Sequence, residues 1–425
     1  MNQDVRMMNR SNALLNRVFL RVWAASLASG VAVTAHDTAA TWAMNLMSPS
    51  GLFISLMASA ASLPAFLFTL PAGALADAVR EHRILRVANL WLAACAGGLA
   101  LLGWAGELNP LLLLSGVFLL GAGFAINAPA WASLVPKLVT NEQLPSAMTL
   151  GGVQLNISGI IGPAVAGILL TKFGAPSVFA LNAAGFLLVF ASIPVTPPNS
   201  TGQSQTLKSM PRSVAETFRY TWRTQTVRNL LLRNSMFSFF VAVVPALAPV
   251  LILRELRLDA SFLGLVFTSM GIGSVLTAFF VLPWLRTRFS TETLMLISQV
   301  CLAGIYLLMS MVHHCMYCLV VMALAGASWT LAASEMWVLV QRALPDTIRG
   351  RVSALMMVLS QGGTTIGTIV WGLAAALTGT RLSLLAAAFG FLAAIVAMLL
   401  SRKPTFMGGA SQIPLTDVRP GLTAR

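Results

Sequence analysis

Apolar residues run in long blocks separated by short polar breaks, at about 18–46, 50–76, 84–106, 110–134, 146–172 and 175–194 in the first half of the chain. After a polar interval the blocks resume at 229–253, 260–285, 291–312, 315–341, 350–378 and 381–401. A helix of roughly 20 residues crosses a hydrocarbon layer about 30 Å thick, and each block reaches that length. The blocks do not alternate polar with apolar positions and far exceed the roughly 10 residues of a barrel strand, so helices are the predicted spanning element. The pattern predicts an all-α membrane protein of about twelve transmembrane helices. Pro49, Asn109-Pro110, Pro136 and Pro345 mark several of the predicted ends. The first block is too long for a cleavable signal peptide and lacks a small-residue cleavage site, so it reads as an anchor kept in the membrane.

Composition agrees: 57% of the 425 residues are hydrophobic, 9% are charged, and mean hydropathy is +0.81. A soluble surface needs about 25% charged residues, which this chain does not have. A net charge of +14 would suggest nucleic acid in a soluble protein. Sorted by loop, however, all of the 27 Lys and Arg residues except Lys172, Arg254, Arg257 and Arg381 fall on one side. That asymmetry predicts both termini in the cytoplasm, and it accounts for the basic balance without a nucleic-acid partner.

The chain divides into four parts. Residues 1–194 form a first six-helix half, 195–228 a cytoplasmic linker, 229–401 a second six-helix half and 402–425 a cytoplasmic tail. The linker opens as TPPNSTGQSQT, rich in Pro, Ser, Thr and Gly, and continues as SVAETFRYTWRTQ. There Val214, Phe218 and Trp222 recur at helical spacing among arginines, which predicts an amphipathic surface helix joining the halves. One nearly constant offset relates Trp131 to Trp337, Ser146-Ala147 to Ser353-Ala354 and Gln154 to Gln361. Such repeats predict pseudo-symmetric halves with a site between them near mid-membrane.

The loop after the second block reads GALADAVREHR, with Gly73, Asp77, Arg80 and Arg83. Gly73 allows close helix packing, Asp77 suits a neighbouring helix N-terminus or an arginine, and the arginines hold the loop at the inner surface. The loop resembles the signature of the major facilitator superfamily, Gly-x-x-x-Asp followed by basic residues, with Arg80 standing where a glycine is usual. The resemblance implies that Asp77, Arg80 and Arg83 latch the two halves in one conformation. The fifth block, SGIIGPAVAGILL, holds Gly159, Gly162, Pro163 and Gly167. It is similar to the motif of the antiporter branches, where small residues and a proline kink bring this span close to its partner. NAPAWASLVPKLVTNEQLPSAM, ALPDTIRGR and LPAGALAD resemble the drug:proton antiporter group that includes the bacterial enterobactin exporter, over about residues 17 to 400. That implies a secondary exporter of a small molecule, a siderophore or drug-like compound, in a bacterial inner membrane. Alternating access with proton antiport is the implied mechanism. A lysophospholipid or other lipid carrier on the same fold, and a non-transporting membrane sensor, are the alternative readings.

Ionisable residues inside spans are expensive and mark functional sites by default. Among the carboxylates, Asp37 and Glu335 qualify. Asp37 lies roughly 24 Å along a helix from Arg21, with Thr34, Thr38 and Thr41 on or near its face, a polar stripe predicted to turn toward a central cavity. His36, its neighbour, is a further candidate for the same path. Glu335 lies about 10 Å from Arg342 and is accompanied by Trp329. A carboxylate in a low-dielectric setting holds a proton it would lose in water, which is what a proton carrier requires. The competing reading has Asp37 bonding a neighbouring helix and Glu335 pairing with an arginine at the inner rim. Asn127, Gln154, Asn156 and Gln361 either line the cavity or bond helix to helix.

Cys95 and Cys301 fall inside spans as small apolar residues, while His313, His314, Cys315 and Cys318 crowd one predicted boundary. A soft metal or a disulfide is conceivable there, but a boundary histidine pair followed by an apolar helix is the simpler reading, and no metal is predicted. No phosphate-binding Gly-x-x-x-x-Gly-Lys run and no nucleophile elbow occurs, so neither ATP hydrolysis nor another enzymatic activity is predicted, and no cofactor. The implied partners are the lipid bilayer, protons and a small-molecule substrate. Oligomeric state has no signal in the sequence.

Overall fold

The computed structural model describes residues 17–48, 50–140, 142–194, 221, 224–343 and 346–400. Among them, eleven continuous helices are long and apolar enough to cross a membrane. Four open the first half: α1 (Arg17–Met47), α2 (Gly51–Ala78), α3 (Glu81–Trp104) and α4 (Pro110–Leu138). Leu144–Ser192 is the exception in length, and Gly174, at φ 74°, breaks it into α5 (144–173) and α6 (175–192). The second half contains α7 (Val227–Glu255), α8 (Ala260–Arg286), α9 (Thr291–Ser310), α10 (Cys315–Ala343), α11 (Asp346–Thr378) and α12 (Thr380–Leu400). The twelve spans match the predicted ones in order and position. The amphipathic linker helix, the tail and the first arginines lie outside the described residues.

Local chemistry explains the ends. Ser50, Asn109, Asp259 and Ser290 each accept a hydrogen bond from a backbone N–H in the first turn of α2, α4, α8 and α9. Gly174 between α5 and α6 and Gly379 between α11 and α12 both take positive φ, where a side chain would clash. They occupy equivalent joints of the two halves, a trace of the repeat. The outer surface is apolar: Val87, Leu111, Ile168, Leu377 and Leu400 are all exposed, which suits lipid rather than water.

Each half has its own core. Ala39, Met44, Leu92 and Phe179 belong to the first, and Leu247, Leu302, Tyr306 and Phe391 to the second. The halves meet along α2 with α11 and α5 with α8. We call the face bearing the Val79–Arg80 turn the near face, and that bearing residues 48–50 the far face. Cross-half hydrogen bonds gather between mid-span and the far face. Ser55 donates to the Ala246 carbonyl at 2.8 Å, Thr268 to the Ile160 carbonyl at 3.0 Å, and the hydroxyls of Ser59 and Thr368 meet at 2.6 Å. Val250 and Ala260 pack into the first-half core there. Toward the near face, Met148 and Leu155 of α5 are exposed, and among the described residues a Cβ at Gly151 or Gly152 would meet nothing within 4 Å. Among the described residues, the halves are bonded together toward the far face, while the near-face part of α5 carries exposed side chains.

Candidate functional site

Val33, His36 and Asp37 occupy about one turn of α1 and look toward α2, α4 and α6. With Ala61, Val117, Leu120, Gly121, Phe124 and Asn182 they line a cavity of about 260 Å³ in the first half. Gly121 makes its tight wall. A Cβ there would stand 2.8 Å from the Ala61 carbonyl, so α4 approaches α2 backbone to backbone.

Asp37 is exposed although it sits within a span, because it faces this open space rather than a neighbouring helix. Among the described residues its carboxylate has no hydrogen-bond or ion-pair partner. Thr41 leaves it free, donating instead to the Asp37 carbonyl at 2.8 Å. His36 is 2% exposed, packs its ring 4.6 Å from that of Phe179, and has both ring nitrogens buried without a hydrogen-bond partner. Asn182 of α6 is 1% exposed, with its Oδ1 also unpartnered. Two buried orphan groups beside an exposed carboxylate call for hydrogen-bonding contents in the cavity. Asn182 was missed from the sequence, where its only signal is an amide within the apolar run LNAAGF.

The other predicted polar residues divide. The polar stripe on α1 does not turn as one toward the cavity. Thr34 donates to the Ser158 carbonyl of α5 at 2.7 Å, and Thr38 is buried and donates to the Thr34 carbonyl at 3.1 Å. Gln154 bonds helix to helix, from Nε2 to the Ser26 carbonyl at 3.0 Å. Asn156 bonds its own helix at the Gly152 carbonyl, 2.9 Å away. Asn127, Trp329 and Gln361 are half-buried, with Trp329 packed against the second-half core.

Glu335 sits apart from Asp37, in the second half. It is 0% exposed, and Arg286 Nε donates to its Oε1 at 2.8 Å while Oε2 has no partner. This is the arginine-paired alternative, with Arg286 at the near-face end of α8 as partner.

The span-five glycines mediate two contacts. Gly162 faces α1, where a Cβ would come 2.6 Å from the Val31 carbonyl. Gly167 faces α8, where its Cβ would come 3.2 Å from Ser261 Cα. The Gly159 carbonyl lies 2.7 Å from where a Cβ on Gly271 would stand, though among the described residues a Cβ on Gly159 itself would meet nothing within 4 Å. A Cβ on Gly264 would strike the Pro163 carbonyl and sit 3.2 Å from Gly167 Cα. Span five thus has two close partners, α1 within its own half and α8 of the other.

At the near face, α2 ends at Ala78 and Arg80 precedes α3 with φ −59° and ψ 124°. The turn therefore does not need the glycine that Arg80 replaces. Arg80 and Arg83 are exposed; the side chain of Asp77 lies outside the described residues. Among the described residues, a Cβ at Gly73 would meet nothing within 4 Å. At the far face His313 Nε2 accepts from Arg381 Nη1 at 2.7 Å, and Cys315 and Cys318 are free thiols.

Comparison with known proteins agrees with this architecture. The family described as transmembrane secretion effector matches residues 11–420. The enterobactin exporter EntS of Escherichia coli O1:K1 is 26% identical over 416 residues, covering 94% of this chain and 95% of that protein. That of Citrobacter koseri is 26% identical over 387 residues, 88% of each. Among solved structures, the nucleoside transporter NupG superposes with a TM-score of 0.72 at 13% identity, covering 91% of this chain and 100% of that one. A bacterial homologue of the iron transporter ferroportin gives 0.71 at 17% identity, covering 91% and 99%.

Proposed function

Because the chain belongs to the transmembrane secretion effector family of the major facilitator superfamily, and is a multi-pass transporter rather than an enzyme, we propose that it exports a small molecule by proton antiport with alternating access. Asp37 carries this reading. Among the described residues it is a carboxylate without a partner, within a span, that opens onto a cavity instead of bonding a helix. Such a group has no structural duty that would justify its cost in the membrane. Protonation empties the cavity of charge, and deprotonation readies it for a hydrogen-bond-donating cargo, so proton and cargo alternate at one place. His36 and Asn182 supply further polar contacts on the same wall.

In this reading the near face and both termini lie in the cytoplasm of a bacterial inner membrane, an orientation that the charge asymmetry of the loops supports. The conformation described is then open to the cytoplasm, ready to load. Relatives named for enterobactin export favour a siderophore-like cargo.

Metabolite profiling of cells and medium tests the function, comparing a deletion strain with its complemented parent under iron limitation and in rich medium. A compound that accumulates inside and vanishes from the medium on deletion names the cargo class. No difference in either condition rejects siderophore export and moves the search to toxic compounds and lipids.

A further inference from the structure

The far-face seal contains a charge that the transport reading does not use. α7 ends in a π turn, Leu251–Glu255, which inserts an extra residue and sends Arg254 and Glu255 in different directions. Glu255 stays within the second half, where its Oε2 lies 2.9 Å from Arg381 Nε. Arg254 crosses to the first half. Its Nη2 donates to the Asn45 carbonyl at 2.8 Å and to the Ser48 carbonyl.

Those carbonyls belong to the last turn of α1 and the residue just beyond it. A helix end leaves its final carbonyls unpaired and carries the negative end of the dipole, which a cation stabilises. α1 has no basic residue in its own last turn. The missing cation comes from the other half. The contact is also incomplete, since Arg254 Nε and Asn45 Oδ1 are both buried without a partner. A network with unsatisfied groups is less costly to open than a fully satisfied one. Arg381 shows the contrast: its bonds to Glu255, Ser310, Val312 and His313 all remain inside the second half and bind that half to itself.

We propose that Arg254 is the gate residue of the far face, capping α1 across the halves when that face is closed and releasing it when the halves rock apart. The proposal rests on the alternating-access reading and assigns Arg254 a positioning role, without contact to cargo. Replacing Arg254 removes the cap. Asn45→Asp adds a negative charge on the residue whose backbone carbonyl Arg254 holds, and should strengthen the attraction across the halves.

The test is a pair of distances in the full-length protein reconstituted in liposomes, in a background with the four native cysteines replaced by alanine. Spin labels at Glu107→Cys and His314→Cys, both on exposed far-face loops, report the far opening, and labels at Thr140→Cys and Thr287→Cys report the near one. The far-open fraction is expected to rise in the order Asn45→Asp, wild type, Arg254→Lys, Arg254→Ala. Wild type and Arg254→Ala should differ roughly tenfold, as loss of a charged hydrogen bond implies. The near distance should shorten as the far one lengthens. If Arg254→Ala fails to reach the membrane, the order of the other three decides. Interconversion with the same far-open fraction in every variant overturns the Arg254 assignment alone. Distances fixed as in this structure in every variant overturn alternating access itself, and the gate with it.

Discussion

Gly162 of α5 leaves the space that the Thr34 hydroxyl of α1 occupies on its way to the Ser158 carbonyl, 2.7 Å from it. The pair fixes how closely α1 lies on α5, and hence where α1 presents Asp37. Packing between spans here depends on a glycine and a hydroxyl, as it must where lipid removes the hydrophobic drive for helices to associate.

Gly162→Ala should therefore push α1 off α5, because the new Cβ would strike the Thr34 hydroxyl and approach the Val31 carbonyl to 2.6 Å. Overpacking of this kind costs about 1–3 kcal/mol. Thermal unfolding in detergent should show the loss. Adding Thr34→Ala should relieve only the side-chain part of the clash, so the double variant should be more stable than the sum of its parts. Strict additivity would mean that the two residues do not meet.

Asp37→Asn should abolish uphill export from proteoliposomes driven by a pH gradient, with insertion into the membrane unchanged. Downhill exchange of cargo should weaken too, since the variant fixes the cavity in the uncharged state. Asp37→Glu should retain coupling at a rate lower by on the order of tenfold, because a displaced carboxylate costs rate steeply. Gradient-driven export at the wild-type rate in Asp37→Asn would sink the assignment.

The fold was legible because length and hydropathy alone decide a spanning helix, and twelve such blocks leave little choice of architecture. Even the break at Gly174 fell where the sequence reading ended one span and began the next. The site was less legible. Asp37, His36 and the span-five glycines stand out as residue types, but their partners lie on other helices, and spacing along one helix does not say which neighbour each will meet. Thr34 and Thr38 share a helical neighbourhood with Asp37 yet serve α5 and their own backbone. Asn182 joins the cavity from α6, more than a hundred residues away in the chain, through packing that no local pattern encodes. Gly73 carries a motif glycine with no close neighbour among the described residues, so the motif marks the loop more plainly than any contact.

Glu335 should behave differently from Asp37. Arg286→Ala leaves its buried carboxylate without a partner and should destabilise the protein by about 1–3 kcal/mol, the low side for such a pair because water partly replaces a guanidinium that is 44% exposed. Glu335→Gln keeps a hydrogen-bonding group at the same place and should cost less. Both variants should still export against a gradient once folded. Loss of coupling in Glu335→Gln with full stability would instead make Glu335 a second proton site.

The α5–α8 contact sets the far-closed state, and a single methyl group should disturb it. At Gly271 a Cβ would lie 2.7 Å from the Gly159 carbonyl and 3.0 Å from its carbon, both backbone atoms that cannot rotate away. Gly271→Ala should therefore separate α8 from α5 and disfavour far-side closure by about 1–3 kcal/mol, roughly a tenfold rise in the far-open fraction. Gly152→Ala is the matched control, because a Cβ there would meet nothing within 4 Å among the described residues. Far-loop distances in the two variants decide the matter. If Gly271→Ala and Gly152→Ala give the same distribution as wild type, the small residues of span five are ordinary packing. If only Gly271→Ala opens the far face, the glycine contact is part of the gate.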